Sequence, residues 1–239
     1  MTPYSIIVTV HIVAGALALL LFWTSALMKK GTALHRRIGQ VYLLSMLGVI
    51  ITGVPLAHAI LQRGSPIGAL FLTYLLLLVS SACWSAWRAI RDRADRRAYF
   101  GPMYWFFATV IATCGIGMIV LGQLAGSMLL MVFGGVGVAG GIGAVRSWRR
   151  APGDPKWWLK EHYGAMIGNG VATHIAFVAI GLRTAFPAVD PQLQQAVAWF
   201  GPLLAAVIAG WWLGRKYGRS RAPQDRRPLP AADADGELV

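Results

Sequence analysis

Residues 5–28 read SIIVTVHIVAGALALLLFWTSALM and are followed directly by Lys29 and Lys30. The run contains no charged residue and is long enough for a helix to cross roughly 30 Å of hydrocarbon, which takes about 20 residues. With no basic residues ahead of it and no small-residue cleavage site behind it, it predicts a retained transmembrane helix rather than a cleaved signal peptide. Similar runs predict six more spans, at approximately 38–61, 66–87, 103–124, 127–147, 163–186 and 195–214.

The composition is that of a protein surrounded by lipid. It is 56% hydrophobic and 13% charged, with a mean hydropathy of +0.58, which excludes an ordinary soluble domain. We therefore predict an all-α, polytopic integral membrane protein whose residues 1–214 form a seven-helix transmembrane bundle, with the lipid bilayer as its solvent. Cys83 and Cys114 lie far apart in apolar runs, which predicts two buried small hydrophobic side chains rather than a redox motif.

The cations lie almost entirely on one side of this predicted bundle. Of the 22 Lys and Arg residues, all except Arg63 and Arg183 fall at the ends of the first, third and fifth spans or in the C-terminal tail. Because cationic loops are retained in the cytoplasm, this distribution predicts an N-out/C-in orientation and requires an odd number of spans. A net charge of +13 would otherwise indicate nucleic acid, but the topological origin of the charge argues against that partner.

Residues 215–239 follow the seventh span. They are basic at first and then rich in Pro, Ala and Asp, with too little apolar surface to order themselves. We predict a cytoplasmic tail whose basic half binds anionic lipid head groups, each cation contributing on the order of 1 kcal/mol.

The fifth span contains Gly135-Val-Gly137-Val-Ala-Gly140, which has the spacing of a dinucleotide-binding fingerprint. That fingerprint functions at a turn from a strand into a helix, where a helix N-terminus faces pyrophosphate, whereas this one lies in the middle of an apolar span. With Gly134, Gly141 and Gly143, it predicts a smooth helix face for close packing.

Carboxylates are absent from the body of every predicted span, and Glu161 is assigned to a helix end. Cation-coupled transporters and proton pumps usually place carboxylates deep in the membrane, so both classes are disfavoured. Zinc hydrolases are disfavoured as well, because no H-E-x-x-H motif is present.

Histidines, in contrast, occur inside the spans. His11, His58 and His174 form a predicted outer set, whereas His35 and His162 form an inner pair at the cytoplasmic ends of the second and sixth spans. Neutral imidazole can ligate a metal without carrying a charge into the bilayer. We therefore predict a site for haem b, or a quinone contact, with His11, His174 and His58 as candidate metal ligands. His11 would pair with His58 or His174 on the outer side, and His35 with His162 on the inner side.

Other residues fit such a site. Gly15, Gly39 and Gly170 lie one turn from histidines and leave room for a porphyrin, while Arg36, Arg37 and Arg183 could pair with propionates. The alternative is that histidines near the membrane surface are ordinary interfacial residues.

The sixth span shows a further regularity. His162, Met166, Asn169 and Thr173 recur with helical spacing and predict one shared face. His174 lies about 120° round the helix from His162, so this span could serve two sites that face different neighbours.

At these positions the sequence resembles a bacterial family of predicted membrane proteins of unknown function, the domain of unknown function 2306. The resemblance rests on His11-x-x-x-Gly15, on the segment from His35 to Tyr42, which reads HRRIGQVY, and on Trp157 with His162 and Met166. It covers about the first six spans and implies a helical domain in the bacterial plasma (inner) membrane. A more distant resemblance, to small membrane proteins linked to haem and terminal-oxidase assembly and to two-haem cytochromes b, implies a redox or oxidase-assembly partner. The regular same-helix histidine pairs of the two-haem cytochromes are absent.

Two hypotheses follow for the function. The leading one is membrane electron transfer, with haem b or a quinone held by the transmembrane histidines. The competing one is a non-catalytic assembly factor or a small-molecule permease in which the histidines are structural.

Overall fold

The computed structural model describes residues 2–218 and is α-helical, with no strand in that range. The helices are α1 (Pro3–Leu27), α2 (Ala33–Gln62), α3 (Pro66–Arg91), α4 (Arg96–Tyr99), α5 (Pro102–Leu124), α6 (Met128–Arg150), α7 (Trp157–Ala185) and α8 (Pro191–Gly218), with a 3-10 turn at Ala151–Gly153. Seven of them are long and apolar enough to cross a membrane, whereas α4 is a single turn before α5. The predicted seven-helix fold is confirmed, while the orientation stays a prediction.

The outer surface of the bundle is apolar. Large hydrophobic side chains are exposed on most of the helices, and Leu27 and Leu124 reach 81% exposure. Contiguous apolar surface of this kind is stable only against lipid or another protein, so the chain is a multi-pass membrane protein.

The largest differences at helix starts are in α2 and α7, which begin five and six residues earlier than predicted. α2 starts at Ala33 because the Thr32 side chain accepts a hydrogen bond from the backbone N–H of His35 at 3.1 Å and so caps the helix. α7 starts at Trp157. His35 therefore lies in the first turn of α2, and His162 lies in the second turn of α7.

The C-terminal boundary also differs from the prediction. α8 continues to Gly218, past the predicted end of the bundle at residue 214. The remainder of the predicted tail, residues 219–239, lies outside the described residues.

The α5–α6 hairpin is packed backbone against backbone. A Cβ atom added at Gly134 would lie 2.5 Å from the carbonyl oxygen of Gly115, and one added at Gly141 would lie 2.7 Å from the Cβ of Ala112. Gly134, Gly137 and Gly141 therefore form the packing face that the sequence predicts. Gly135, Gly140 and Gly143 have nothing within 4 Å of such a Cβ and lie off that face.

A second packing unit consists of α1, α2, α3 and α7. α1 packs against α2, α2 against α3, and α3 against α7, which also contacts α1. Between these helices lies a buried cluster of Ala18, Tyr42, Met46 and Val79, against which Phe22, Cys83 and Met166 pack. We call this group of helices the four-helix unit.

Candidate functional site

The inner face of α7 carries the polar residues of the four-helix unit. His162 binds the carbonyl oxygen of Ala86 on α3, Met166 packs against the buried cluster, and Thr173 contacts the sulfur of Met46 on α2 at 3.6 Å. With Asn169, which contacts Cys83 of α3, the four residues of the predicted face all point into the bundle. That prediction is confirmed.

Asn169 is the centre of this face. It is fully buried, and its side-chain oxygen accepts a hydrogen bond from the Cys83 thiol at 3.6 Å. Its side-chain nitrogen has no hydrogen-bond partner in the described part of the chain. Cys83 is thus a polar contact and not simply a small hydrophobic residue.

Tyr42 lies on the opposite wall, on α2. It is also fully buried, yet its hydroxyl has no hydrogen-bond partner among residues 2–218. The Thr173 hydroxyl is close enough to interact with it, although not in hydrogen-bond geometry, and Cys83 is also nearby. The Phe22 ring of α1 lies 6.1 Å from the Tyr42 ring between centroids. A buried polar group without a partner costs on the order of 1–3 kcal/mol, so these two side chains mark a place where the fold retains unused hydrogen-bonding capacity.

The predicted inner pair of histidines lies at one end of this face. The Nδ1–H of His162 donates to the carbonyl oxygen of Ala86 at 2.9 Å, which leaves Nε2 of the neutral ring with a free lone pair. His35 has a buried Nδ1 without a hydrogen-bond partner in the described range. The two rings are near enough for a charge on one to act on the other. His35 and His162 therefore lie at the same end of the four-helix unit.

His11 of the predicted outer set binds α2. The Thr52 hydroxyl donates to the Gly48 carbonyl oxygen at 2.6 Å, so it must accept from Nδ1–H of His11, at 2.8 Å. His58 lies six residues beyond Thr52, about 9 Å further along α2 and on a different side of that helix. It is exposed and accepts from the Gln62 amide at 3.0 Å.

His174 is satisfied at both ring nitrogens. Nδ1–H donates to the Gly170 carbonyl oxygen at 2.7 Å, and Nε2 accepts from the Trp23 indole N–H at 2.9 Å. Trp23 lies twelve residues, or roughly 18 Å, along α1 from His11. His11, His58 and His174 thus do not converge.

The prediction that histidines of the outer set share one site is therefore wrong. The outer set was predicted by counting residues from the end of each helix. That count does not include how far neighbouring antiparallel helices are shifted along one another. In residues 2–218 no group of three or more His, Cys, Asp or Glu side chains is placed to hold a metal ion.

The predicted arginines lie at the ends of their helices. Arg36 is exposed and donates to the Gly31 carbonyl oxygen at 3.2 Å, while Arg37 is exposed beside it. Arg183 is exposed in the last turn of α7. Arg36 follows His35 directly in the chain.

Glu161 is the residue that sequence reasoning missed. Because α7 begins at Trp157, Glu161 is in the second turn of the helix and not at its end. The hydroxyl of the fully buried Tyr99 donates to its Oε2 at 2.9 Å, with Tyr104 and Ser147 nearby. Among the described residues it forms no ion pair. Because Tyr99 lies 62 residues away in the sequence, no local pattern indicates this contact.

Outside the spans, two charged groups hold the connecting segments. Asp154 accepts from Lys160 at 2.6 Å and from the backbone N–H of Lys156 at 2.9 Å. Partial burial would raise the pKa of Asp154, but these hydrogen bonds and positive charges outweigh it and hold that pKa below its ordinary value. Lys30 donates to the carbonyl oxygens of Ser25 and Ala26 at the end of α1, and burial lowers its pKa.

Comparison with known proteins adds no relative. The sequence matches no protein-family model, no curated protein and no solved structure. The resemblance to the family of unknown function therefore stays a prediction.

Proposed function

We propose that this protein binds a quinone in the four-helix unit and acts in membrane electron transfer. The observation that supports this most strongly is the pair of fully buried polar side chains, Tyr42 and Asn169, whose hydroxyl and amide nitrogen have no partner in the described part of the chain. Both groups are hydrogen-bond donors. A quinone has two carbonyl oxygens that need donors and an apolar body that suits this cluster.

The polar side chains of the four-helix unit would have two different roles. Tyr42 and Asn169 would donate hydrogen bonds to the quinone carbonyls and fix its orientation. His35 and His162, at the end of the same face, would exchange protons with the predicted cytoplasmic side, because neutral imidazole accepts and releases protons near neutral pH. A bound quinone supplies the two-electron, two-proton chemistry that no side chain of this cluster supplies.

Haem b held by His35 and His162 is the second candidate. It is favoured by the hydrogen bond from His162 Nδ1–H to a backbone carbonyl, the arrangement that orients many metal-ligating histidines. Arg36 would then lie on the propionate side. Tyr42 and Asn169 have no role in ligating iron, so the quinone accounts for more of the buried polar groups.

The proposal includes the predicted setting. The chain would lie N-out/C-in in a bacterial plasma membrane, as a member of the family that it resembles, and would exchange electrons with a redox or oxidase-assembly partner. The distribution of Lys and Arg supports that orientation.

Two measurements on protein purified from membranes test the proposal. Lipid extracts analysed by mass spectrometry should contain quinone at close to one molecule per chain, and Tyr42→Phe should reduce this while Tyr74→Phe does not. Tyr74 is a matched control because it is buried but already donates to the Phe133 carbonyl oxygen.

A reduced-minus-oxidised spectrum separates the two cofactors. A haem Soret and α-band, lost in His162→Ala, would replace the quinone with haem b. If neither quinone nor haem accompanies the protein, the histidines are structural, as in an assembly factor or permease.

A further inference from the structure

Two concave depressions in the described part of the chain meet at Arg96, the first residue of the short helix α4. The first has a volume of about 340 Å³ and is lined by Arg96, Arg97, Phe100 and Trp148. The second, of about 450 Å³, lies between Arg96 and the turn at residues 151–155. One cationic side chain is thus shared by two neighbouring depressions.

The backbone that carries the arginines is held in place. Arg88 forms an ion pair with Asp92 and donates from Nη2 to the Ala98 carbonyl oxygen at 3.0 Å. Tyr99 and Phe100 lie two and three residues after Arg97 and are buried in an aromatic cluster with Tyr104 and Trp157. The depression therefore belongs to an ordered part of the fold.

In the described part of the chain, the acids near the two arginines have other partners. Asp92 and Asp154 are each paired with another cation, and Asp95 accepts a hydrogen bond from a backbone N–H. Within residues 2–218, neither Arg96 nor Arg97 forms an ion pair. Two guanidinium groups are therefore available to bind an anion beside Phe100 and Trp148.

We infer that the first depression, lined by Arg96, Arg97, Phe100 and Trp148, binds the phosphate of an anionic phospholipid. Guanidinium groups form paired hydrogen bonds with phosphate oxygens. Trp148 lies at the end of a span, where tryptophan favours the head-group level, and packs edge-on against Trp105 of α5 at 5.7 Å between ring centroids.

The adjoining surface favours a lipid over free phosphate. Met103 and Phe106, in the first turns of α5, expose large apolar side chains. This surface suits an acyl chain that runs along α5 from a head group held at Arg96 and Arg97. The site is separate from the predicted lipid-binding tail and does not depend on the proposed redox function.

The test compares two double variants of the full chain. Arg96→Gln with Arg97→Gln removes the proposed site, whereas Arg149→Gln with Arg150→Gln removes the same charge from exposed arginines at the end of α6. Binding of phosphatidylglycerol is titrated by native mass spectrometry in an uncharged detergent. We expect about thirtyfold weaker binding in the first variant, since each cation contributes about 1 kcal/mol and about 1.4 kcal/mol is tenfold, and less than about threefold weakening in the second.

Equal weakening in the two double variants, or none in the first, would overturn the inference in favour of diffuse surface charge. If inorganic phosphate binds the wild type as tightly as phosphatidylglycerol does, the ligand is free phosphate and not a lipid. Should the first double variant fail to fold, the exposed Arg97→Gln alone decides: about fivefold weaker binding is expected, and unchanged binding contradicts the site.

Discussion

The α5–α6 hairpin and the four-helix unit differ in what lies between their helices. In the hairpin, Gly115 and Gly134 bring two backbones into contact. In the four-helix unit, Phe22, Tyr42 and Met46 pack between the helices, and some buried polar atoms have no partner among residues 2–218. Direct backbone packing serves stability, whereas unsatisfied buried donors reduce stability and are expected where a ligand binds.

Adding a methyl group inside the hairpin should have the largest effect. Gly134→Ala places a Cβ 2.5 Å from the Gly115 carbonyl oxygen, and a backbone atom cannot rotate away. We expect a loss of about 2–3 kcal/mol in unfolding free energy, measured by denaturant titration in micelles. The neighbouring Gly135→Ala, which meets nothing within 4 Å, should be neutral or slightly stabilising. Equal losses in the two variants would show that the helices are not in backbone contact.

The next effect concerns Glu161, which lies on α7 but contacts Tyr99 of α4 and not the buried cluster of the four-helix unit. Glu161→Leu should cost about 2 kcal/mol, because it leaves the buried Tyr99 hydroxyl without its acceptor. Glu161→Gln should cost much less, since the amide oxygen can still accept. If Glu161→Leu is as stable as Glu161→Gln in the same titration, the Tyr99 contact contributes nothing.

This difference between the regions was only partly predictable from the sequence. Run length and charge predict seven spans because the bilayer imposes both, and helical spacing places His162, Asn169 and Thr173 on one face. Which helix meets that face depends on tertiary packing, so the sequence does not predict that Cys83 and Tyr42 lie against it. The predicted pairing of His11 with His58 or His174 was wrong for the same reason. The long-range contact between Tyr99 and Glu161 leaves no local pattern.

A smaller effect should separate two buried tyrosines. Without bound ligand, Tyr42→Phe removes a hydroxyl that has no partner in the described part of the chain and should stabilise the protein by about 1 kcal/mol. Tyr74→Phe removes a hydroxyl that donates to the Phe133 carbonyl oxygen and should destabilise it by about the same amount. Thermal unfolding of delipidated protein measures both. Destabilisation by Tyr42→Phe would mean that its hydroxyl is already satisfied.

The smallest effect is expected at the ion pair between Asp154, in the segment before α7, and Lys160, in the first turn of α7. Because the folded state lowers the pKa of Asp154, the unfolded state binds the proton more tightly, and stability falls as the pH drops. The contribution is complete above the ordinary value of 3.8 and is lost as the pH falls through the folded-state pKa. A partly exposed pair contributes a few tenths of a kcal/mol, and Asp154→Asn should remove this part of the acid dependence. An unchanged acid profile in that variant would contradict the assignment.

The most direct test of the central claim is the stabilisation produced by an added quinone. Purified, delipidated wild type, Tyr42→Phe and Tyr74→Phe are unfolded thermally with and without a short-chain ubiquinone. The four-helix-unit proposal predicts that ubiquinone raises the melting temperature of the wild type and of Tyr74→Phe, and raises that of Tyr42→Phe much less. An equal increase in all three proteins, or no increase in the wild type, would contradict it.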